Sequence, residues 1–152
     1  MAAMNSVVAY VAWSAVAGAL IPVMAASNGT LGRVIASPLH ASVAAAILAA
    51  LAVVLAFAAL HPPAPASATL ARAPLWSWFG GLAVGFYIVS ATFVAPRFGV
   101  GNFVICVVVA QLVMSSLIDQ FALFGAAQHP IELKRAIGLV VLGVGAVLVA
   151  LK

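Results

Sequence analysis

The sequence predicts an all-α integral membrane protein with five transmembrane helices. Its 152 residues are 67% hydrophobic and only 5% charged, and its mean hydropathy is +1.32. A soluble domain has about 25% charged residues, so this chain has too few polar side chains to cover a globular surface in water. Intrinsic disorder is excluded as well, because it requires low hydrophobicity. The lipid bilayer is therefore the expected solvent of the chain.

Five apolar runs divide the chain, and a spanning helix needs about 20 such residues. The runs are separated by clusters of Pro, Gly, Asn and Ser, which interrupt helices. Strands of a membrane barrel would alternate in polarity, and these runs do not. We predict one transmembrane domain, residues 1–152, with helices at Met4–Ala26, Pro38–Leu60, Leu75–Ala95, Val100–Gly125 and Ile131–Leu151.

The first two predicted helices differ in character. Trp13 and Ser14 lie on an aromatic and small-residue face of the first helix, and Pro22 is expected to kink or unwind it. Irregular backbone inside a membrane is tolerated only against protein or water, so this helix is expected to face a central pathway. A loop is predicted at 27–30. The second helix, rich in Ala, Val and Leu, is expected to be a packing wall or one side of a passage for apolar cargo. An extended Pro-rich link, His61–Pro74, follows it.

The third and fifth predicted helices have glycine spacings that permit close helix contact. In the third helix Trp76 and Trp78 are expected to anchor at the interface, and Tyr87 is a candidate pathway residue. A turn is predicted at 96–99. In the fifth helix, Gly138, Gly143 and Gly145 predict a packing or dimer face, and charged residues at its start would lie at the membrane surface.

The fourth predicted helix contains the most informative polar residues. Gln111, Ser115 and Asp119 are spaced four residues apart and so share one face, which Ser116 and Gln120 widen. Gln111 is either a substrate contact or a partner in an interhelical hydrogen bond. Asp119 is the only acid in the interior of a predicted span, since Glu132 lies at the membrane surface at the start of the fifth. A charge in the interior is costly unless it is paired, hydrated or protonated. It is therefore a candidate proton-binding or cation-binding group. Alternatively, it lies about 8 Å from the helix end, from where it either reaches the membrane surface or pairs with a nearby cation: Arg72, Lys134 or Arg135.

The cations are divided evenly between the two predicted membrane sides. Arg72, Lys134 and Arg135 lie on one side, and the other side has Arg33, Arg97 and Lys152. Because Lys and Arg in the loops set orientation, an even division predicts that the chain inserts both ways and pairs as an antiparallel dimer. The alternative is a weak bias that selects one orientation. The scattered cations form no basic patch, so a nucleic-acid partner is not expected.

No catalytic constellation is recognisable, and an enzyme is not expected. The three histidines, at positions 40, 61 and 129, are dispersed at helix ends and loops, which gives no metal-ligand spacing. A lone Cys106 forms neither a disulfide framework nor a metal site. We therefore predict no cofactor and no metal.

Several motifs taken together resemble the YdcZ-like family, half-size relatives of the EamA-type transporters in the drug/metabolite transporter superfamily. The resemblance covers nearly the whole chain, and its most specific part is Gln111-Leu112 followed by Asp119. The other matching segments are Gly18–Pro22 leading to Asn28, Trp76 with Gly80-Gly81, Ala95–Gly99, and Pro130 with Gly138 and the glycine-rich last helix. The chain departs from the family at Met24, where a glutamine is frequent.

The resemblance implies a five-helix half that pairs antiparallel, and an exporter of small molecules in the bacterial inner membrane. The expected partners are the lipid bilayer, a small-molecule substrate, and a second copy or a paralogous half-transporter. The leading hypothesis is a secondary transporter working by alternating access. Its predicted substrate contacts are Trp13, Ser14, Tyr87, Gln111, Ser115 and Asp119. The alternatives are a passive channel built from the same dimer and a non-transporting membrane assembly subunit.

Overall fold

The fold is a bundle of five long helices joined by short connections. It is seen in a computed structural model that describes residues 2–150, with side chains described at 7–67 and 69–150. The helices are α1, Ala2–Val34; α2, Pro38–Leu60; α3, Phe79–Phe98; α4, Val100–Phe121; and α5, Leu133–Ala150. Five helical segments are long and apolar enough to cross a membrane, and residues 2–150 contain no strand. The all-helical, five-span prediction is confirmed.

Helix α1 is the centre of the packing. It contacts α2, α3 and α4, while α2 also contacts α3, and α3 contacts α4. Helix α5 packs mainly on α4. The first four helices therefore form a cluster, and α5 is attached at its side.

The core lies at one end of this cluster, where α1 and α3 end and α2 and α4 begin. Its central residues are Ala25 of α1, Ala91 and Ala95 of α3, and Phe103 of α4. The hydroxyl of buried Thr92 donates a hydrogen bond of 2.8 Å to the carbonyl of Ile88, which satisfies this polar group inside the core. Small residues let the helix backbones approach closely, which is the usual way that helices pack in membranes.

The opposite ends of α1, α2 and α3 are not packed. Every described side chain of residues 7–20 and 46–66 is exposed, as are those of 74–86. A Cβ atom added at Gly18, Gly80, Gly81 or Gly85 would meet nothing within 4 Å. These three helices therefore have a closed end, where they are packed, and an open end, whereas α4 keeps a buried residue, Ser116, in its second half.

The predicted loop at 27–30 is wrong, because α1 runs on to Val34. The Ser27 hydroxyl donates to the carbonyl of Val23 at 2.7 Å, which keeps the serine inside the helix. Gly29 and Gly32 are buried against neighbouring helices, so the small residues form a packing surface. The helix is also continuous through Pro22, and the unwinding expected there does not occur.

The predicted turn at 96–99 is reduced to one residue. Pro96 and Arg97 lie in the last turn of α3, and only Gly99 leaves helical geometry, with φ +94°. Glycine has no Cβ and adopts this backbone region without strain. Helices α3 and α4 therefore form a tight antiparallel hairpin.

Two boundaries near α5 also differ from the prediction. Helix α4 ends at Phe121 instead of Gly125 because Ala122 takes a left-handed conformation, with φ 50°. Helix α5 begins at Leu133 instead of Ile131.

The predicted helix at Pro38–Leu60 is confirmed at both ends, and the predicted extended link after it contains one helical turn, Ser67–Leu70. The predicted residues Leu151 and Lys152 lie outside the described part.

Candidate functional site

The six predicted contact residues lie on three helices. Trp13 and Ser14 are on α1, Tyr87 is on α3, and the other three, Gln111, Ser115 and Asp119, are on α4. These three helices contact one another, which is the arrangement needed for a shared pathway. The six residues do not, however, converge on one enclosed cavity within a single chain.

Tyr87 lies at the inner boundary of the packed core. It contacts the core cluster, and its ring centroid is 6.1 Å from that of Phe103 on α4. Its hydroxyl is buried and has no hydrogen-bond partner. A buried polar group without a partner costs free energy, so this hydroxyl is available to a ligand or a water molecule.

Gln111 lies at the same depth as Tyr87 on the neighbouring helix. Each is twelve residues from Gly99, the turn of the α3–α4 hairpin, and so each is about 18 Å from that turn along its helix. The Gln111 side chain is exposed on the surface of the bundle. An amide at this depth would face hydrocarbon unless another protein surface or a water-filled cavity covers it.

Ser115 continues the polar face of α4 one turn further along. Its hydroxyl donates to the carbonyl of Leu112 at 3.1 Å, and the neighbouring Ser116 donates to the same carbonyl at 2.8 Å. Because both hydroxyls have partners within their own helix, Ser115 does not need a ligand to satisfy its hydrogen bonding. Its oxygen can still accept a further hydrogen bond.

Trp13 and Ser14 lie in the open half of the bundle. Trp13 is 82% exposed, and the groove beside it is lined by residues of α1 alone. These two residues are therefore separated from the packed core that contacts Tyr87. A second surface is needed to bring them into a binding site.

Asp119 pairs with Arg135, one of the three cations proposed for it from the sequence. The carboxylate Oδ2 lies 2.9 Å from Nη1 of the arginine, and both side chains are partly exposed. Asp119 is two residues from the end of α4, closer to the membrane surface than predicted. The geometry at this position supports the structural alternative, in which the ion pair links α4 to the first turn of α5.

Gln120 lies beside this ion pair and was not predicted as a site residue. Its side-chain oxygen accepts the backbone N–H of Ile131 at 2.6 Å, and its own carbonyl accepts from the Gln128 side chain at 3.2 Å. The His129 N–H donates to the Asp119 carbonyl at 2.9 Å. The connection from α4 to α5 is therefore held by polar contacts. The sequence indicated Gln120 only as part of the widened polar face of this helix, not as a residue that holds the connection.

Asn28 was also missed as a site residue because the sequence placed it in a loop. It lies within α1, and its side-chain nitrogen is buried without a hydrogen-bond partner. It is one helical turn beyond Met24, the position where a family glutamine is frequent, and Met24 packs on the core. This stretch of α1 thus has a polar side chain, one helical turn beyond the position where the family glutamine is frequent.

Five long apolar helices with few polar side chains define a multi-spanning helical membrane protein. Among residues 2–150, no group of three or more His, Cys, Asp or Glu side chains is placed to hold a metal ion. A family model described as "Putative inner membrane exporter, YdcZ" matches residues 9–148, and the chain belongs to this family. It is therefore an inner-membrane protein of a transporter family. No curated protein and no solved structure matches the chain.

Proposed function

We propose that this chain is a secondary exporter that works as an antiparallel dimer and exposes one central cavity alternately to each side of the membrane. The small charge of the predicted lining favours neutral, zwitterionic or modestly cationic cargo. Trp13, Ser14, Tyr87, Gln111 and Ser115 are the proposed contacts of the cargo. Membership in an inner-membrane exporter family supports the direction of transport.

The observation that carries this proposal is the open half of the bundle. The described residues of α1 to α3 are packed at one end and unpacked at the other. Four glycines in the open half have room for a Cβ atom, which would meet nothing within 4 Å. Small residues in a membrane helix are suited to close contact with another helix. A second, inverted copy would place its own packed end beside this open end.

The exposed amide of Gln111 supports the same arrangement. At about 18 Å from the turn of the α3–α4 hairpin, the exposed amide of a single chain is expected well inside the membrane, where contact with lipid is unfavourable for a polar group. Covering this face with a second copy would move the amide from lipid to a shared interior. The even distribution of cations favours both insertion directions, which such a pair requires.

Exchange measured in proteoliposomes tests this function. Vesicles are preloaded with unlabelled choline, tyrosine or glucose, and uptake of the same labelled compound is followed. A carrier accelerates labelled uptake when unlabelled compound is inside, whereas a channel does not. We expect exchange with at least one compound and its loss in Gln111→Leu. Gln128→Leu is the matched control, since it makes the same change outside the spans.

Other results separate the alternatives. Fast flux without exchange would identify a channel. The absence of flux for all three compounds, together with obligatory co-purification of another membrane protein, would identify an assembly subunit and contradict the proposal. If Gln111→Leu still exchanges substrate, the protein is a carrier, but Gln111 is not part of its substrate site.

A further inference from the structure

The closed end of the bundle contains a cleft that the transport proposal does not use. It has a volume of about 220 Å³ and is lined by Gly29, Gly32 and Arg33 of α1, Pro38 of α2, and Thr92, Pro96 and Arg97 of α3. Two arginine side chains thus border one small space. The cleft lies where α1 and α3 end, which is the membrane surface for helices of this length.

The two arginines have no carboxylate side chain near them. The whole sequence contains two acids, Asp119 and Glu132, and both belong to the opposite end of the bundle, near the α4–α5 connection. The ion pair found among the described residues uses Arg135. Two like charges on one cleft repel each other unless an anion lies between them.

The guanidinium groups of these two arginines make contacts that leave most of their N–H donors free. Arg33 Nη2 donates to the Thr30 hydroxyl at 3.0 Å. Arg97 donates to the carbonyl of Phe93, and its guanidinium lies 5.7 Å from the centroid of the Phe93 ring. A guanidinium has five N–H donors, so each arginine retains several for a ligand.

The amino end of α2 adds a further favourable feature. Ser37 precedes the helix, yet its hydroxyl makes no capping hydrogen bond and instead contacts Nδ1 of His40. The N–H groups of a first helical turn have no acceptor within their own helix. The end of α2 that borders the cleft at Pro38 therefore presents a partial positive charge.

We infer that this cleft binds a phosphate group, with Arg33 and Arg97 as its two charged ligands. Arginine matches phosphate because its planar donors form paired hydrogen bonds. The expected source is the head group of an anionic phospholipid, since the cleft lies at head-group depth beside the apolar surface of the helices. A free phosphate or a phosphorylated solute presents the same chemistry.

Native mass spectrometry of the full chain in detergent tests the inference and is independent of membrane orientation. The protein is titrated with phosphatidylglycerol, with diacylglycerol of the same tails, and with inorganic phosphate. We expect phosphatidylglycerol to remain bound and diacylglycerol to be lost. The double variant Arg33→Gln and Arg97→Gln should bind phosphatidylglycerol at least about tenfold more weakly.

Two further variants make the result decisive. Arg72→Gln removes a cation from the Pro-rich connection at the other end, and its phosphatidylglycerol binding should equal that of the unmodified chain. Arg33→Lys with Arg97→Lys preserves both charges and should bind with intermediate affinity, which separates loss of the site from loss of folding.

The remaining outcomes are distinct. Binding of inorganic phosphate with the same dependence on the arginines, but not of the lipid, supports the phosphate site and assigns it a soluble ligand. Equal retention of phosphatidylglycerol and diacylglycerol overturns the inference. Equal weakening by Arg72→Gln and by the double Gln variant overturns it as well, because the effect is then one of overall charge.

Discussion

Replacing Gly29 with alanine tests the close contact between α1 and α3. A Cβ atom at position 29 would lie 2.6 Å from Cγ and 3.4 Å from Cδ of the Pro96 ring. Carbon atoms in contact are ordinarily about 3.5–4.0 Å apart. A proline ring cannot rotate away, so the two helices must separate by about 1 Å. In a detergent that keeps the chain monomeric, Gly18 is the matched control, because within a single chain a Cβ there meets nothing within 4 Å.

The size of the effect follows from comparing these two glycines. Overpacking a close contact costs roughly 1–3 kcal/mol. Alanine also favours a helix over glycine by up to about 1 kcal/mol, but this gain applies equally at both positions of α1. The free energy of unfolding of Gly29→Ala should therefore lie about 1–3 kcal/mol below that of Gly18→Ala.

Thermal unfolding in detergent, followed by tryptophan fluorescence, measures this difference. A change of about 1 kcal/mol shifts Tm by about 2–4 °C in a chain of this length. We expect Gly29→Ala to unfold roughly 2–12 °C below Gly18→Ala. Equal Tm values for the two variants would show that α1 and α3 do not approach at Gly29 as described, and the described packing of the closed end would be wrong.

Three further predictions concern an ion pair, an unpaired hydroxyl and a backbone conformation. A double-mutant cycle on Asp119→Asn and Arg135→Gln should give a coupling of about 0.2–1 kcal/mol, as for other exposed ion pairs, and a zero coupling in thermal unfolding would contradict the link between α4 and α5. Tyr87→Phe removes a hydroxyl that has no hydrogen-bond partner, so Tm should stay the same or rise while exchange in proteoliposomes falls. A lower Tm in this variant would show that the hydroxyl makes a structural hydrogen bond. Ala122→Gly should raise the free energy of unfolding by about 1 kcal/mol, because Ala122 has a left-handed backbone conformation with φ 50°. A lower free energy of unfolding, measured by urea titration, would contradict this conformation.

The number and type of helices could be predicted from the sequence because hydrocarbon imposes a simple requirement. Each span must satisfy its own backbone hydrogen bonds and remain apolar over about 20 residues. The helix at Pro38–Leu60 meets this rule without interruption and begins at a proline that suits a first helical position. Both of its ends were therefore predicted correctly.

The boundaries that were missed in α1 involve small residues whose role depends on neighbouring helices. Gly29 and Gly32 resemble a loop in sequence, but their missing side chains let α1 approach Pro96 and Pro38. Ser27 remains helical by bonding to its own backbone. Helix propensity read one segment at a time does not contain this information, because the stabilising contacts come from other segments.

For the candidate site, the sequence predicted only which residues lie on the same side of each helix. The spacing of Gln111, Ser115 and Asp119 placed them on one side of α4, but spacing does not give depth. The end of α4 at Phe121, which depends on the left-handed Ala122, puts Asp119 at the surface with Arg135. Tyr87 was predicted as a contact residue and Asn28 was placed in a loop, but the burial of their unpaired polar atoms depends on packing between helices, which the sequence of one segment does not show.

The most direct test of the central claim, an antiparallel pair of oppositely inserted copies, is the orientation of the C-terminus. A reporter fused there is measured in the original chain, in Arg97→Ala and in Arg72→Ala, which remove one cation from opposite sides. We expect both orientations in the original chain. Because the side richer in Lys and Arg remains cytoplasmic, Arg97→Ala should favour an external C-terminus and Arg72→Ala an internal one. A single orientation that neither change alters would contradict the claim.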